Sequence, residues 1–389
     1  MLNIGRLLSR FGNVSFVVVS SHRQDEEAAC GTEHGPNIKR IMRPSPIAKG
    51  SALRRFRDRL RHELDPGYLE TDPCVVSPAD RAALLDLMQE HDLTWIHSIR
   101  TANLFRISRW PSSILDVDDI PSRWDQSAAA SGTDLTRRLL DLRMSWIWRR
   151  RERLLAQRFD VLTVCSEDDR RYLGSRSPIH VIPNGFHPQP VRPRAPSQLP
   201  TVGFIGTFDW GPNEQGARWF IRDVWPLIKQ EFPHAQLRLV GWGSDGYLTK
   251  LGPDIVGLGW LENPGDEIAS WSAFIVPIKV GGGTRIKIAE GFARKCPVVA
   301  TTIGAFGYDV HNGEEILLAD RAADFASACI TLLRNPELAE ALSERAHKRF
   351  LQRWTWDSFE GAVRTVVEEC LAVSAFRRTG GAVMASAIR

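Results

Sequence analysis

The stretch PIKVGGGTRIKIAEGFARKCPVVA, residues 277 to 300, decides the fold of this chain. An apolar, strand-like run leads into three consecutive glycines. A helical pattern that carries Arg285, Lys287 and Glu290 follows, and a second apolar run comes directly after it. In this order of strand, glycine loop, helix and strand, backbone amides and a helix N-terminus can hold a diphosphate. The stretch therefore predicts both a fold and a ligand class.

The same alternation continues on both sides of this stretch. Short apolar runs alternate with helical patterns in both halves of the chain, and six prolines between residues 183 and 200 interrupt them. Strands that alternate with helices indicate parallel sheets covered on both faces. We predict an α/β fold with two Rossmann-like domains whose parallel sheets face each other across a cleft. Ligands of such sheets lie at the carboxyl ends of the strands.

The composition excludes several classes of protein. The chain has 389 residues, of which 43% are hydrophobic, enough for two separate cores. Its net charge of +4 is too small to indicate a nucleic-acid partner. The six cysteines are scattered without a CxxC pair, which favours a reduced, cytoplasmic protein without a zinc site. No apolar run approaches the ~20 residues of a membrane span, and the first residues form no signal peptide.

Four segments of the second half resemble a known family when they are taken together. They are Val181-Ile-Pro-Asn-Gly185, Val202-Gly-Phe-Ile-Gly-Thr207 with Pro212-Asn213, Leu239-Val-Gly241, and Gly281 to Thr301. In this order the segments resemble the family 4 glycosyltransferases, which retain anomeric configuration and use nucleotide sugars. The resemblance implies the GT-B fold. The first half resembles the family only loosely, at residues 114–120 and 161–167.

The resemblance implies transfer of a sugar from a nucleoside-diphosphate donor to an acceptor hydroxyl. The setting would be cell-surface polysaccharide or glycoconjugate synthesis, with a glycan or lipid-linked acceptor. GT-B enzymes do not generally need a metal, so we expect no cofactor and no metal. Two alternatives stay open. One is another GT-B enzyme, such as a nucleotide-sugar epimerase, and the other is a non-catalytic protein that binds nucleotide sugars or acts as a scaffold.

The resemblance also supplies domain boundaries. Residues 1–187 form an acceptor-side domain, 188–200 a proline-rich linker and 201–353 the nucleotide-sugar-binding domain. A helix over 354–372 returns to the first domain, and 373–389 form a flexible tail. Family members usually begin with a strand and a glycine-rich loop. Here the first recognisable strand, Val14 to Ser20, follows a helix, so we expect either a start upstream of Met1 or an incomplete first domain.

The glycine loop is the predicted diphosphate site. Gly281, Gly282 and Gly283 lack a Cβ, so that a phosphate oxygen can approach their backbone closely. Thr284 opens the helix, whose amides and dipole favour an anion. Arg285 and Lys287 add two positive charges, which would also stabilise the leaving diphosphate. The alternative is a tight turn between strand and helix without a ligand.

Glu290 matches the second glutamate of the paired-glutamate motif of the family. The resemblance implies that its carboxylate accepts hydrogen bonds from the two hydroxyls of a ribose. The alternative is a surface ion pair with Arg294, four residues later. Gly282 stands where the first glutamate of the pair would contact the donor sugar, so the identity of that sugar is left open.

The end of the first strand of the second domain is a further donor-side segment. Gly206 and Thr207 lie where a β-phosphate or sugar would be placed. The following residues Asp209 and Trp210 either contact the sugar or pack within the domain. This loop has no basic residue, and the positive charge must come from Arg285 and Lys287.

Candidate catalytic residues of the first half lie at predicted strand ends. Asp118 matches the position where many family members carry a histidine near the reacting carbon. A carboxylate there would orient the acceptor hydroxyl or stabilise an oxocarbenium-like state, and the alternative is a turn cluster before Pro121. His97 also ends a strand and is the second candidate. Asp116-Val-Asp118 formally fits a metal-binding DxD motif, but we do not expect a metal here.

The sequence also predicts two arginine-rich helices, over 51–64 and 137–158. A basic helix with aromatic residues such as Trp146 and Trp148 is able to lie on an anionic membrane surface. The alternative is a solvated charged face. The sequence thus predicts a cytoplasmic enzyme. If the basic helices bind a membrane, the enzyme would contact its inner face peripherally.

Overall fold

The structure is a computed structural model, and it divides the chain into two units. The described residues are 2–20, 37–47, 51–131, 134–174, 178–190, 192 and 199–386, without the side chains of 131, 247, 251 and 378–386. One unit comprises Met1–Gln126, Leu139–Ile182 and Glu360–Arg389, and the other comprises Ser127–Arg138 and Pro183–Phe359. The two units are described separately below.

The second unit is built on a parallel sheet. Its strands are β9 Thr201–Ile205, β10 Gln236–Val240, β11 Ile255–Gly257, β12 Ala273–Val276, β13 Val298–Ala300 and β14 Leu317–Leu318. They lie in the order β11-β10-β9-β12-β13-β14, and each neighbouring pair is parallel. The order reverses direction beside β9, and such a switch point is where open α/β sheets bind ligands at the carboxyl ends of their strands.

Apolar strands and large aromatic side chains form the core of this unit. All residues of β12 and β13 are buried, as expected for strands covered on both faces. Trp271 packs where Gly203 has no side chain, since a Cβ on Gly203 would lie 1.9 Å from the indole. Burial of each large side chain of this kind contributes about 1.5–3 kcal/mol.

Helices connect the strands of the second unit. They are α9 Gly211–Trp219, α10 Trp225–Glu231, α11 Gly265–Ala269, α12 Ile286–Ala293, α13 Ala322–Arg334 and α14 Pro336–Arg353. A π-helical turn, Phe220–Val224, separates α9 from α10. The interruption lies directly before Pro226, which has no amide hydrogen and occupies the first turn of α10.

The first unit has a parallel sheet in the order β5-β6-β7-β8. Its strands are β1 Phe16–Val19, β2 Ile38–Met42, β3 Ser45–Pro46, β4 Cys74–Val75, β5 Thr94–His97, β6 Ser113–Asp116, β7 Val161–Val164 and β8 Ile179–Val181. Strands β1 and β2 form a separate parallel pair, and β3 pairs antiparallel with β4. The core includes the fully buried Trp110 and Phe159, whose rings stack 6.4 Å apart.

Helices of the first unit surround these strands. They are α1 Leu2–Leu8, α2 Ala52–Leu64, α3 Pro78–Gln89, α4 Ile99–Leu104, α5 Pro121–Ser131, α6 Leu135–Glu152, α7 Leu155–Arg158, α8 Glu167–Leu173 and α15 Glu360–Ser386. The end of α5 and the start of α6, within Ser127–Arg138, belong to the second unit. The long helical stretch predicted over 133–159 is divided into α6 and α7. No helix within the described residues is long and apolar enough to cross a membrane.

Two regions of the first unit differ from expectation. The polar composition of residues 21–50, with Gly, Pro and Asn, predicts a loop, but residues 38–42 form β2 along the edge of β1. Residues 373–377, expected to begin a flexible tail, continue α15. Ser374 is buried there, and the Arg377 guanidinium hydrogen-bonds to Asp160 at 2.6 Å, which anchors this part of the helix. Residues 191 and 193–198 of the predicted linker lie outside the described residues.

Candidate functional site

The second unit contains a cavity of about 480 Å³ beside the carboxyl end of β9. Its lining residues come from the end of β9, the following loop and helix, and the first turns of α12. They are Ile205, Gly206, Thr207, Trp210, Asn213, Ile286, Lys287 and Glu290. Four of the predicted donor-site residues, Gly206, Thr207, Lys287 and Glu290, are thus brought together at one place.

Gly206 permits the close approach of the elements around the cavity. A Cβ at this position would lie 2.8 Å from Nδ2 of Asn213 and 2.9 Å from Cε of Lys287. Its backbone is also packed against Gly241, which has a φ of +118° and whose Cβ would lie 2.2 Å from the carbonyl oxygen of Gly206. Both glycines are therefore required by space, and the Lys287 ammonium group is carried past Gly206 to the cavity.

Asn213 is a buried polar residue of the cavity wall. Its Nδ2 donates a hydrogen bond to the carbonyl oxygen of Thr207 at 2.7 Å, which holds the loop after β9 in place. Its buried Oδ1 has no hydrogen-bond partner among the described residues. An amide oxygen without a partner costs about 1–3 kcal/mol, so a donor group of a ligand would be favoured there.

Lys287 carries a perturbed ammonium group. Its pKa is lowered from 10.5 to about 8, mainly by burial and also by the nearby Arg285 guanidinium, while Glu290 opposes the shift. The ammonium nitrogen lies 5.9 Å from the centre of the Trp210 ring, and the Arg285 guanidinium lies 5.8 Å from the same ring. Two cations thus lie close to the Trp210 ring at the cavity.

Glu290 both pairs with Arg294 and lines the cavity, and its predicted ribose role stays a prediction. Its Oε1 accepts a hydrogen bond from Nε of Arg294 at 3.2 Å, and its side chain also lines the cavity. Oε2 has no hydrogen-bond partner within the described part of the chain. Burial raises the pKa of Glu290, although Arg294 and Lys287 favour the charged carboxylate. The i,i+4 pair therefore orients the carboxylate and leaves one oxygen available.

The glycine loop itself is held by internal hydrogen bonds. Gly281 and Gly283 have φ angles of +130° and +69°, which favour glycine. The amide of Gly281 donates to Oγ of Ser127 at 3.0 Å, and Nη1 of Arg285 donates to the carbonyl oxygen of Gly282. Oγ1 of the buried Thr284 accepts a hydrogen bond from the amide of Asn184 at 3.3 Å.

These loop residues border the cavity elements without lining the cavity. None of Gly281 to Arg285 is among the lining residues, and the Arg285 side chain is buried. In the structure Arg285 supports the loop through its hydrogen bond to Gly282, and its predicted contact with a diphosphate stays a prediction. Arg285 is the N-cap of α12 and makes no side-chain capping bond, so the first amides of α12 lack a side-chain cap.

The first unit places the two candidate catalytic residues together. His97 ends β5 and is paired in register with Asp116, which ends β6. Nδ1 of His97 lies 3.0 Å from Oδ2 of Asp116, and Nε2 lies 3.7 Å from Oδ2 of Asp118. Thr163 donates to the other oxygen of Asp116 at 3.1 Å, and Cys165 donates to Asp118 at 3.5 Å. The imidazole is therefore flanked by two carboxylates at the carboxyl ends of the strands.

Electrostatics and backbone strain both mark this cluster. Burial disfavours the imidazolium, but the hydrogen bond with Asp116 and the charges of Asp116 and Asp118 outweigh it and raise the pKa of His97. Asp118 has a φ of +54° and Ser98 a φ of +73°, conformations that L-residues adopt rarely and at a cost of about 1–3 kcal/mol. Perturbed groups and strained backbone of this kind cluster at functional sites.

A separate group of side chains has a spacing suited to a metal ion. Ligand atoms of His311, Glu314 and Glu315 lie within 4.8 Å of one another. Glu315 is, however, ion-paired with Nη1 of Arg349 at 2.7 Å. Neutralisation by the guanidinium accounts for this acidic group, and the expectation of a metal-independent protein stays a prediction.

Sequence reasoning missed two residues that the structure brings into these sites. Asn213 was quoted only as part of the resembling Pro212-Asn213 segment. Its position at the start of the helix that follows the loop after β9 is a sequence signal that could have identified it as a site residue. Asp116 was grouped with a turn cluster, and its contact with His97 depends on the register of β5 and β6. Trp210 was left open between sugar contact and packing, and it lines the cavity.

Residues 199–335 match the profile of a protein family described as glycosyl transferases group 1. This part of the chain is thus a domain that resembles the group 1 glycosyltransferases. The domain contains the cavity and every donor-side candidate residue. The resemblance inferred from the sequence is therefore confirmed for the three of the four segments that lie within residues 199–335.

Curated relatives match less than half of the chain. A phosphatidyl-myo-inositol mannosyltransferase of Mycobacterium tuberculosis is 29% identical over 185 residues, which cover 44% of this chain and 48% of that protein. An uncharacterised 44.6 kDa protein from the cps region of Klebsiella pneumoniae is 26% identical over 144 residues, 34% of this chain and 37% of that protein. The matched segments thus span less than half of either relative.

Solved structures match nearly the whole chain at low identity. The sucrose-phosphate synthase of Thermosynechococcus elongatus has a TM-score of 0.67 at 17% identity and covers 95% of this chain and 92% of its own. Anabaena HepE in complex with UDP and glucose has a TM-score of 0.64 at 15% identity, with 94% and 95% covered. WaaG, a glycosyltransferase involved in lipopolysaccharide biosynthesis, has a TM-score of 0.59 at 11% identity, with 94% of each chain covered. These likenesses establish the fold.

Proposed function

We propose that this protein is a retaining glycosyltransferase that uses a nucleoside-diphosphate sugar and transfers the sugar to an acceptor hydroxyl. The observation that carries the proposal is the convergence of Gly206, Thr207, Lys287 and Glu290 on one cavity of a domain that resembles the group 1 glycosyltransferases. HepE binds UDP and glucose in its crystal structure, and that complex supports the same class of donor. The setting is synthesis of a cell-surface polysaccharide or glycoconjugate.

Lys287 is the proposed ligand of the diphosphate. The charged form of Lys287 is destabilised at the cavity, mainly by burial, and its pKa is lowered to about 8. A bound dianion would offset this destabilisation. The first amides of α12, which lack a side-chain cap, add donors near the same end. The charge that develops on the leaving diphosphate would strengthen both interactions in the transition state.

Arg285 has an indirect role at the proposed diphosphate site. Its guanidinium holds the carbonyl of Gly282 and lies over Trp210, so that its charge reaches the cavity through space. The glycine loop would then bind phosphate through backbone groups, with Gly282 leaving room where the family usually has a glutamate. The choice of donor sugar is not part of the proposal.

Glu290 is the proposed ribose ligand. Arg294 holds one carboxylate oxygen, and the other is available to accept a hydrogen bond from a ribose hydroxyl. The buried Oδ1 of Asn213 is a second acceptor in the same wall. Together they would select a ligand that carries hydroxyl donors beside its phosphates.

The His97, Asp116 and Asp118 cluster is the proposed acceptor side. An imidazole between two carboxylates is able to accept a proton from a hydroxyl and to stabilise the resulting cation. Asp118 keeps its proposed role in orienting the acceptor or stabilising an oxocarbenium-like state. We further propose a glycan or lipid-linked acceptor, and peripheral contact with a membrane through the basic helices, where such a lipid would be presented. No metal or cofactor is needed in this scheme.

A thermal-shift screen with UDP, GDP, ADP and their sugars tests the donor site. A ligand at 100 times its Kd stabilises by about 2.7 kcal/mol, which shifts the melting temperature by about 5 °C or more. Lys287→Met should remove the shift. Lys295→Met, which removes an equal charge paired with Glu344 elsewhere on the domain, should keep it. No stabilisation by any nucleotide would contradict the proposal.

Slow donor hydrolysis separates an enzyme from a binding protein. A transferase should release nucleoside diphosphate slowly from its true donor without an acceptor, and NMR of the released sugar reports its anomeric configuration. A protein that is stabilised by the donor but never hydrolyses it would support the non-catalytic alternative.

A further inference from the structure

Helix α2 is attached to the first unit with its apolar side turned outward. Leu53, Phe56, Leu60 and Leu64 keep 78%, 66%, 47% and 59% of their surface exposed. Their spacing of three, four and four residues places them on one side of the helix, in a single stripe. An ordinary surface helix buries such a stripe, and no side chain of α2 is buried.

The polar side of α2 holds the helix to its neighbour. Its half-buried residues are Asp58 and His62, opposite the stripe, and Glu63, at the edge of the stripe. The carbonyl oxygen of His62 accepts a hydrogen bond from Nη2 of Arg151 at 2.7 Å. Oε2 of Glu63 accepts one from Nε of Arg143 at 3.1 Å. Polar contacts with α6 therefore fix α2 in this inverted orientation.

Helix α6 adds a second outward stripe in the same unit. Leu139, Leu142 and Trp146 are spaced three and four residues apart and are 59%, 50% and 56% exposed. The Arg150 guanidinium lies 4.6 Å from the centre of the Trp146 ring, and its Nη2 also donates to the carbonyl oxygen of Leu64 at 2.9 Å. Arg150 thus joins the two stripes into one surface.

We call this surface the α2–α6 face. Its apolar residues are Leu53, Phe56, Leu60, Leu64, Leu139, Leu142 and Trp146. Exposed apolar patches of this extent mark interaction sites in soluble proteins.

The charges around the α2–α6 face indicate what it contacts. Helix α2 has five arginines against Asp58 and Glu63, a net charge of +3. Arg55, Arg59 and Arg61 are exposed, and Arg143 and Arg150 flank the α6 stripe. A second copy of the chain docked on this face would bring arginines against arginines. A surface of apolar and aromatic side chains edged by arginines matches the boundary between headgroups and acyl chains of an anionic bilayer.

We propose that the α2–α6 face docks on a bilayer that contains anionic lipid, with Leu53, Phe56, Leu60 and Leu64 inserted between the headgroups. The arginines would pair with lipid phosphates while their stems cover the apolar edge. This inference deepens the peripheral role given to the basic helices under the proposed function. It does not depend on the donor site, so either can fail without the other.

Flotation of the full chain with vesicles tests the docking. Wild-type protein should bind vesicles of phosphatidylcholine with phosphatidylglycerol far better than phosphatidylcholine alone, and salt should weaken the binding. Phe56→Ser with Leu60→Ser should lower the partition constant on mixed vesicles at least about tenfold. The matched control is Phe376→Ser with Leu351→Ser, which removes side chains 77% and 47% exposed elsewhere and should bind like wild type.

Charge removal is the second arm of the test. Arg55→Gln, Arg59→Gln and Arg61→Gln together should lower binding to mixed vesicles about 100-fold, at about fivefold for each arginine near the surface. All variants should keep the wild-type melting temperature, since the replaced side chains are exposed, and the nucleotide-induced thermal shift reports the donor site independently. Equal binding of wild type to both kinds of vesicle, or unchanged binding of the Phe56→Ser, Leu60→Ser variant, would overturn the proposal. So would light scattering that shows these two residues to hold a dimer in place of a lipid contact.

Discussion

The perturbed Lys287 makes the pH dependence of nucleotide binding a sharp test of the site. Its pKa is lowered to about 8, mainly by burial, so the free protein loses this charge as the pH rises through 8. A bound diphosphate would favour the ammonium form and raise the pKa again. Binding should therefore weaken as the pH rises from about 7 to about 9.

The magnitude follows from the titration. At about pH 7 roughly nine-tenths of the Lys287 side chains are charged, and at about pH 9 roughly one-tenth. If binding requires the ammonium form, Kd should rise about tenfold over this interval, equivalent to about 1.4 kcal/mol. The terminal phosphate of the nucleotide does not contribute, because its second pKa of about 6 leaves it ionised throughout.

Isothermal titration calorimetry measures both parts of this prediction. The nucleoside diphosphate that stabilises the protein is titrated at several pH values and in buffers of different ionisation enthalpy. Above pH 8 binding should take up about one proton, because Lys287 is reprotonated in the complex. Lys287→Met should bind weakly and without this pH dependence, and Lys295→Met should behave like wild type. A Kd that is constant between about pH 7 and 9 in the wild-type protein would refute the diphosphate role of Lys287.

Four further outcomes are expected. Lys287→Met should stabilise the ligand-free protein near pH 7 by about 3 kcal/mol in denaturant unfolding, because the cost of lowering this pKa from 10.5 to about 8 is present in full below pH 8 and disappears as the pH rises toward 10.5. The wild-type protein should bind ribonucleotides about tenfold more tightly in Kd than 2′-deoxyribonucleotides, and Glu290→Gln should abolish this preference. An unchanged preference in the variant would exclude the ribose role of Glu290. Gly241→Ala should lower the free energy of unfolding by about 3 kcal/mol or more, since its Cβ would meet the carbonyl oxygen of Gly206 at 2.2 Å; Gly313→Ala, also at positive φ but with open space, is the milder control. Asp116→Asn should lower the pKa of His97 in an NMR titration, because it removes a hydrogen bond and a charge that raise it, and an unchanged pKa would separate the two residues.

The second unit was readable from the sequence because its strands are buried on both faces. Runs such as Ala273–Val276 are continuously apolar, and the glycine loop and Pro226 mark the breaks between elements. Strand β2 was missed for the opposite reason. Lys39 and Arg40 point away from the core at a sheet edge, where the apolar pattern that identifies a strand is lost.

The residues of the candidate site could be predicted from the sequence, but their individual roles could be predicted only in part. Lys287 and Glu290 were identified from spacing and resemblance, and both line the cavity. Arg285 has the same charge and neighbourhood in sequence, but its side chain turns back to the carbonyl of Gly282 and is buried. Which of two cations on one helical turn faces a ligand depends on side-chain direction, and neither charge nor position along the chain reports it.

The contact between Ser127 and the glycine loop has a consequence for truncated proteins. Ser127 belongs to the segment Ser127–Arg138, which residues 139–182 of the other unit separate from the rest of the second unit. Its hydroxyl oxygen accepts a hydrogen bond from the amide of Gly281. A protein that starts at Pro183 would fold its sheet without this segment and would leave the amide of Gly281 without its acceptor. Nucleotide affinities measured on such a fragment would then describe a loop with altered freedom, and the intact chain is the proper reference for any study of the donor site.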